Sequence, residues 1–314
     1  LRSVPKGLAT GLLAVFIAVY LVVMSTQAIA RHNALHSHAY DLGIFDQVVW
    51  NTAHGRLFEN TVMLEYAPNL LGNHFAPIPL YWLIPDVRVL LVLQTAALAA
   101  GAVPLYLFAR RRLAAPWLAL VLAAVYLLFP ALQYVNLFDF HEIALAVPLL
   151  GFAILFLTQG RDRLFLLFLF LALLCREEVA FIAIAFGLYI LLWQRRVRFG
   201  TAVVGLGLVW GFLTIMVLVP HFQGEEEYYY VIRYGYLGDS LDEIVATVFQ
   251  RPLYVLDHLL VRGKADLVLR LLTPVGFLSI ASPEILALSL PTFTYLLLSD
   301  YAEQFSIFFQ YSAP

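Results

Sequence analysis

Apolar residues run along this chain in long blocks, and the charged residues fall in short clusters between them. Residues 7–30 carry no charge and are flanked by Arg2 and Lys6. At 1.5 Å per residue, a helix of that length crosses the hydrocarbon of a bilayer. The block ends in Ala28-Ile29-Ala30, an A-x-A pattern, but its apolar run is much longer than a signal-peptide core, so it reads as a retained first span. The pattern predicts further spans at 87–109, 114–133, 143–158, 164–175, 179–193, 199–219, 267–281 and 285–298, about nine in all. Several are short, which calls for tilt, local thinning or burial within a bundle. One helix over 164–193 would put Arg176, Glu177 and Glu178 at the bilayer centre, so a hairpin with these charges at its tip is expected instead.

The charges orient the chain. With the hairpin in place, Arg2, Lys6, Arg110, Arg111, Arg112, Arg161, Arg163, Arg195, Arg196 and Arg198 all fall on one side, which the positive-inside rule makes the cytoplasm. All 8 histidines and nearly all carboxylates then face outward, leaving Asp162 and Glu284 as the cytoplasmic exceptions. The expected location is a cell membrane, a bacterial inner membrane, with the N-terminus cytoplasmic and any site facing the periplasm or exterior. Two external loops are long enough to hold structure, 31–84 and 220–266.

Composition agrees and narrows the function. The 314 residues are 62% hydrophobic and 13% charged, and mean hydropathy is +0.84, beyond what a soluble enzyme domain carries. A net charge of −2 gives no case for nucleic acid. The single Cys175 excludes an internal disulfide and a cysteine-based zinc site. One integral membrane domain over 1–314 is expected. The chain opens on Leu1 and stops in mid-pattern at Pro314, so both ends are expected to be incomplete.

In the first external loop, residues 40–51 predict a helix with Asp41 at its N-terminal edge, because Leu42, Ile44, Phe45, Val48 and Val49 share one face. It is expected to lie flat in the membrane interface, and Asp41 by itself suits a helix-capping carboxylate. The segment after His74, rich in prolines and aromatics, marks re-entry into the membrane.

The order Y-D-L-G-x-F-D-Q (Tyr40 to Gln47), H-F-x-P (His74 to Pro77), F-D-F-H-E (Phe138 to Glu142) and R-E-E (Arg176 to Glu178) closely resembles a family of bacterial and archaeal membrane proteins called domain of unknown function 2079. The resemblance covers nearly the whole chain. More distantly, an acidic residue just after span one, a juxtamembrane helix and a P-L-Y-W-L segment before span two resemble the C-type glycosyltransferases, which use polyprenyl-phosphate sugars. That similarity implies a glycosyltransferase-like helical bundle with external amphipathic helices after the first span and before the last two. It also implies a first-loop Asp acting as general base or metal-site carboxylate, which by position falls on Asp41, with Asp46 the alternative. The Asp-Glu pair of some lipid-sugar transferases is absent. Gln310 stands where a family H-Y-x-A-x-x-P motif has His, so no His role carries over.

Two more polar clusters fall on the same predicted face. His141 and Glu142, with Arg176, Glu177 and Glu178, are candidates to line a cavity or hold a phosphate; the competing reading is an internal ion-pair network such as Arg176 with Glu142. Imidazoles and carboxylates from separate helices leave a divalent cation open as a cofactor, with Asp41, His74 and His141 as candidates, but no H-x-x-x-H or H-E-x-x-H spacing supports it. In the second loop, Arg233 among tyrosines suits phosphate and sugar contacts, or simply an interfacial aromatic belt. Ser240 with Glu243 predicts a capping box, and Pro252 a helix start.

The expected function is an outward-facing membrane glycosyltransferase-like enzyme that moves a sugar from a polyprenyl-phosphate carrier to an acceptor. Asp41 would act as base or hold a cation, Arg176 or Arg233 would hold the donor phosphate, and His74, His141, Glu142 and Glu177 would line the cavity. The alternative is a non-catalytic membrane subunit that binds lipid or packs against a larger complex. No hydrolase triad, Walker loop or dinucleotide fingerprint is legible.

Overall fold

The computed structural model describes residues 6–63, 67–72, 86–224 and 228–313, and among them the regular structure is helical, with no strand. The chain divides into two compact units, one built from 1–62 and 76–176, the other from 63–75 and 177–312. His74, the re-entry segment and the Glu225–Glu227 run lie outside the described residues.

The first unit holds α1 (Lys6–Asn33), α2 (Ala39–Ala53), α3 (Arg88–Ala100), α4 (Ala102–Leu113), α5 (Pro116–Leu127), α6 (Pro130–Leu137), α7 (Ile143–Thr158) and α8 (Asp162–Leu173). Helices α3 and α4 run on through Gly101 as one helix, Arg88–Leu113, long enough to cross a bilayer, as is Gly7–Asn33. Helices α5 and α6 form a pair bent by 45°. The bend follows from Pro130, whose ring bars the residue before it from helical geometry, and Phe129 accordingly sits at ψ 122.

The core of this unit mixes alanines with large side chains such as Tyr20, Leu98, Tyr106 and Leu120. Ala99, Ala102, Ala109, Ala119 and Ala123 are fully or nearly fully buried. Small residues let helices approach closely where no water drives them together. On α1, by contrast, Val15, Val19 and Val22 are each more than half exposed, an apolar face suited to lipid or to an apolar partner within the membrane.

The second unit holds α9 (Val179–Leu192), α10 (Val197–Gly211), α11 (Val219–Gln223), α12 (Leu241–Gln250), α13 (Pro252–Leu259), α14 (Arg262–Leu272), α15 (Pro283–Leu286) and α16 (Leu290–Leu298). Helices α10 and α11 are continuous through a π-helical segment, Phe212–Leu218, making a third crossing-length helix, Val197–Gln223. The widened turn precedes Pro220, which cannot donate to the carbonyl four residues back, and near its start Thr214 Oγ1 donates to the Trp210 carbonyl at 2.8 Å. Helices α9 and α10 pack along Gly187, Gly200 and Gly207. A Cβ on Gly187 would lie 2.5 Å from the Val204 backbone nitrogen.

Ile143–Thr158, Val179–Leu192 and Pro283–Leu298 are shorter apolar helices. The helix breaks between Leu173 and Val179, so 164–193 is not one rod. The expected span 267–281 needs correction: α14 stops at Leu272, Pro274 follows, and Gly276 and Phe277 take left-handed φ values of 59° and 57°, so no continuous helix forms there. Ser240 caps α12 by accepting from the Glu243 N–H, and α13 opens on Pro252, both as the sequence predicts.

Candidate functional site

The first unit gathers imidazoles and carboxylates at the point where α2 meets the link between α6 and α7. Helix α2 begins at Ala39, with His38 just before it and Asp41 in its first turn. Its buried face is Leu42, Ile44, Phe45, Val48 and Val49, the face the periodicity predicts. Phe45 meets Phe140 edge-on at 5.2 Å and the His141 ring at 5.8 Å, so burial of this one face brings Asp41 alongside the 138–142 link.

That link is held from α3. Gln94, fully buried, donates to the Val135 carbonyl at 2.9 Å and the Asp139 carbonyl at 3.3 Å, and its Oε1 accepts from the His141 N–H at 2.8 Å. One amide therefore fixes a non-helical stretch whose backbone groups would otherwise be buried without partners.

Three ligand-type side chains, His38, Asp41 and Asp139, have donor atoms within 4.8 Å of one another. His38 gives Asp139 two contacts: its N–H donates to Oδ2 at 2.7 Å, and its Nδ1 lies 2.8 Å from the same oxygen. His141 adds a fourth group. Its Nδ1 pairs with the Asp139 carbonyl at 2.9 Å and its Nε2 lies 3.9 Å from Asp41 Oδ1. An Nδ1 hydrogen bond to a carbonyl sets the tautomer, leaving Nε2 as the acceptor nitrogen facing Asp41. Asp139 and His141 are buried, whereas the Asp41 side chain is one-third exposed, at 34%. Two carboxylates and two imidazoles form a donor set that suits a divalent cation such as Mn²⁺ or Zn²⁺.

The sequence-predicted residues divide clearly. Asp41 and His141 are brought together, and His38 and Asp139 join them. Asp46, one and a half turns along α2, is outside the cluster; burial and the nearby Asp86 raise its pKa above the ordinary carboxylate value, while His32 acts against them. Glu142 is fully buried, and its Oε1 is 3.6 Å from Arg176 Nη1, the ion pair that the sequence reading weighed against a catalytic role. Neither Glu142 oxygen has a hydrogen-bond partner among the described residues. His38 and Gln94 carry no motif signal, and Asp139 was visible only as part of F-D-F-H-E.

The second unit carries the other candidates. Glu177 is buried and accepts from Tyr228 Oη at 2.8 Å. Desolvation, then the neighbouring Glu177 and Glu178 charges, push the Tyr228 phenol well above its usual pKa, so it stays a donor. The Arg233 guanidinium lies 4.2 Å from the Tyr230 ring centroid and 5.2 Å from those of Tyr301 and Tyr311. Glu178, Tyr228 and Arg233 line one part of a cavity of about 620 Å³, and Leu188, Leu192 and Trp193 of α9 line another. Since α9 rises roughly 1.5 Å per residue, this cavity is polar at one end and apolar about 20 Å away.

Long apolar helices with lipid-type exposed faces, interrupted by buried charged and imidazole groups, define an integral membrane protein. The chain belongs to the family described as "Predicted membrane protein (DUF2079)", whose model matches residues 31–314. No curated protein and no solved structure matches it.

Proposed function

We propose that this chain is a multi-pass membrane transferase of glycosyltransferase type that moves a sugar from a polyprenyl-phosphate carrier at the outer membrane face. The observation that carries the reading is the cluster of Asp41 with His38, Asp139 and His141, placed directly after the first span. Asp41 is the more accessible carboxylate of the two and takes the proton of the acceptor hydroxyl, while His38 and Asp139 are the residues that would hold a divalent cation. A bound cation would make that hydroxyl more acidic and offset charge on the leaving phosphate. As the new glycosidic bond forms, the bond from the sugar to phosphate breaks and the carrier phosphate leaves with the electron pair. The cavity along α9, with Arg233 and tyrosines at its polar end, has the amphipathic order of a lipid phosphate with its tail.

The test is one substitution read two ways. In Asp41→Asn, transfer of labelled sugar from membrane lipid falls roughly 10²–10⁴-fold, while the thermal midpoint of the purified protein changes little because the amide keeps its volume and acceptor oxygen. Full transfer by Asp41→Asn would remove Asp41 as the base. The mostly apolar wall of the cavity favours a second reading, a non-catalytic subunit that holds lipid. Under it, no transfer is measurable from wild type, and Asp41→Asn assembles normally.

A further inference from the structure

A separate basic pocket lies in the first unit, where the C-terminal ends of α4 and α7 come together. It has a volume of about 230 Å³ and is lined by Arg111, Arg112, Arg161, Gln159, Thr158 and the apolar pair Phe108 and Leu155. No ion pair joins any of the three arginines to a carboxylate among the described residues. Arg112 rests over the Phe108 ring at 5.6 Å, which orients its guanidinium without neutralising it. Thr158 Oγ1 donates back to the Leu155 carbonyl at 2.9 Å.

Arginine forks converging on one pocket repel one another unless an anion joins them, and their planar geometry matches the oxygens of a phosphate. The helix C-termini beside them carry partial negative charge, but half a unit each at most, which leaves the pocket net positive. The ordering of the lining also matters. Phe108 and Leu155 lie about one turn before the arginine and glutamine ends of their helices, and Arg88–Leu113 is long enough to cross a bilayer. Apolar floor and cationic rim follow each other as acyl chain and phosphate do in a phospholipid.

The geometry points to a binding site for a phosphate headgroup, supplied by an anionic phospholipid of the leaflet that these helix ends face. In the orientation proposed from the charge bias, that is the cytoplasmic leaflet, opposite the Asp41 cluster. The site asks nothing of the transferase reading and stands or falls separately from it.

The experiment follows the thermal unfolding of the full chain in neutral detergent while short-chain phosphatidylglycerol, phosphatidylcholine of the same chain length, or inorganic phosphate is titrated in. Phosphatidylglycerol should raise the midpoint saturably and phosphatidylcholine should not. In the triple variant Arg111→Gln/Arg112→Gln/Arg161→Gln, the half-saturating concentration should rise roughly 10- to 100-fold. Arg195→Gln/Arg196→Gln/Arg198→Gln removes as many charges from residues that do not line the pocket and should respond as wild type does. If the first triple variant does not fold, Arg161→Gln alone should show a shift of about fivefold. Protection by inorganic phosphate at the same concentrations supports the phosphate site and makes free phosphate its source. Equal protection by both lipids, or equal loss in both triple variants, overturns the proposal.

Discussion

Gln94 shows how one side chain can set a site it does not belong to. Its amide makes three buried hydrogen bonds to the segment that presents Asp139 and His141. Replacing it with Leu keeps the volume and strands those groups, so Gln94→Leu should cost roughly 2–4 kcal/mol in stability, read as a lowered thermal or denaturant midpoint. An unchanged midpoint would mean that water takes over those hydrogen bonds. Nothing in the sequence marks Gln94, because a polar residue within an apolar helix reveals its partners only when the helix 41 residues further along is folded against it. Asp41 was easier to find, lying at the edge of a periodic helix directly after a span. His38 precedes that helix, and Asp139 meets it only through tertiary packing.

Lys264 is the opposite case, a buried charge that stabilises little. It is 2% exposed, its Nζ has no hydrogen-bond partner among the described residues, and it sits 5.7 Å from the Tyr236 ring and 5.5 Å from that of Phe305. Burial lowers its pKa from the usual lysine value, against the opposing pull of Asp300. A lysine whose folded pKa is depressed destabilises the fold while it must stay protonated, and that cost fades as pH rises toward the unfolded value near 10.4. Lys264→Met should therefore stabilise the protein by about 1–3 kcal/mol at neutral pH, with the gain shrinking as pH rises toward about 10. Melting curves across pH check both the sign and the trend.

At the scale of elements, hydrophobic blocks located the helices well but not their breaks. Ile143–Thr158 matches its block at both ends, whereas the 114–133 block becomes two helices reaching to Leu137, with the bend set by Pro130. The 267–281 block fails because hydropathy counts apolar residues and ignores that Pro274, Gly276 and Phe277 interrupt the hydrogen-bond ladder. Packing between α9 and α10 was also hidden, since a glycine in an apolar run reads as neutral. At Gly187 a methyl group would meet the Val204 and Gly200 backbone as well as the Val204 side chain, so moving a side chain alone cannot make room. Gly187→Ala should thus cost about 1–3 kcal/mol, while Gly205→Ala on α10, with open space at its Cβ, should be neutral or slightly stabilising. Similar midpoints for the two variants would show that α9 and α10 can separate freely.

For the whole molecule, the charge bias predicts that Arg110–Arg112, Arg161 and Arg163 share one side of the membrane and the Asp41 cluster the other. In a background with Cys175 replaced by Ala, a cysteine at position 41 should react with an impermeant thiol reagent added outside intact cells, and one at 111 only after permeabilisation. Labelling of both from the same side would reverse the orientation. The membrane character and the family were legible from composition and motif order, since both are properties of the sequence as a whole. The Asp41 cluster was legible only in part, through Asp41 and His141, because His38 just before α2 and Asp139 in the link after α6 join them only through folding.

The cluster itself is tested most directly by calorimetric titration of the purified full chain, stripped with chelator, with Mn²⁺ and with Zn²⁺. Asp139→Asn is the informative partner, because its amide oxygen still accepts from the His38 N–H while the charge a cation needs is gone. Wild type should bind one ion per chain, and Asp139→Asn should bind it roughly 10- to 100-fold more weakly or not at all. No binding by wild type, or equal binding by both proteins, would contradict a cation centre held by His38 and Asp139 beside Asp41.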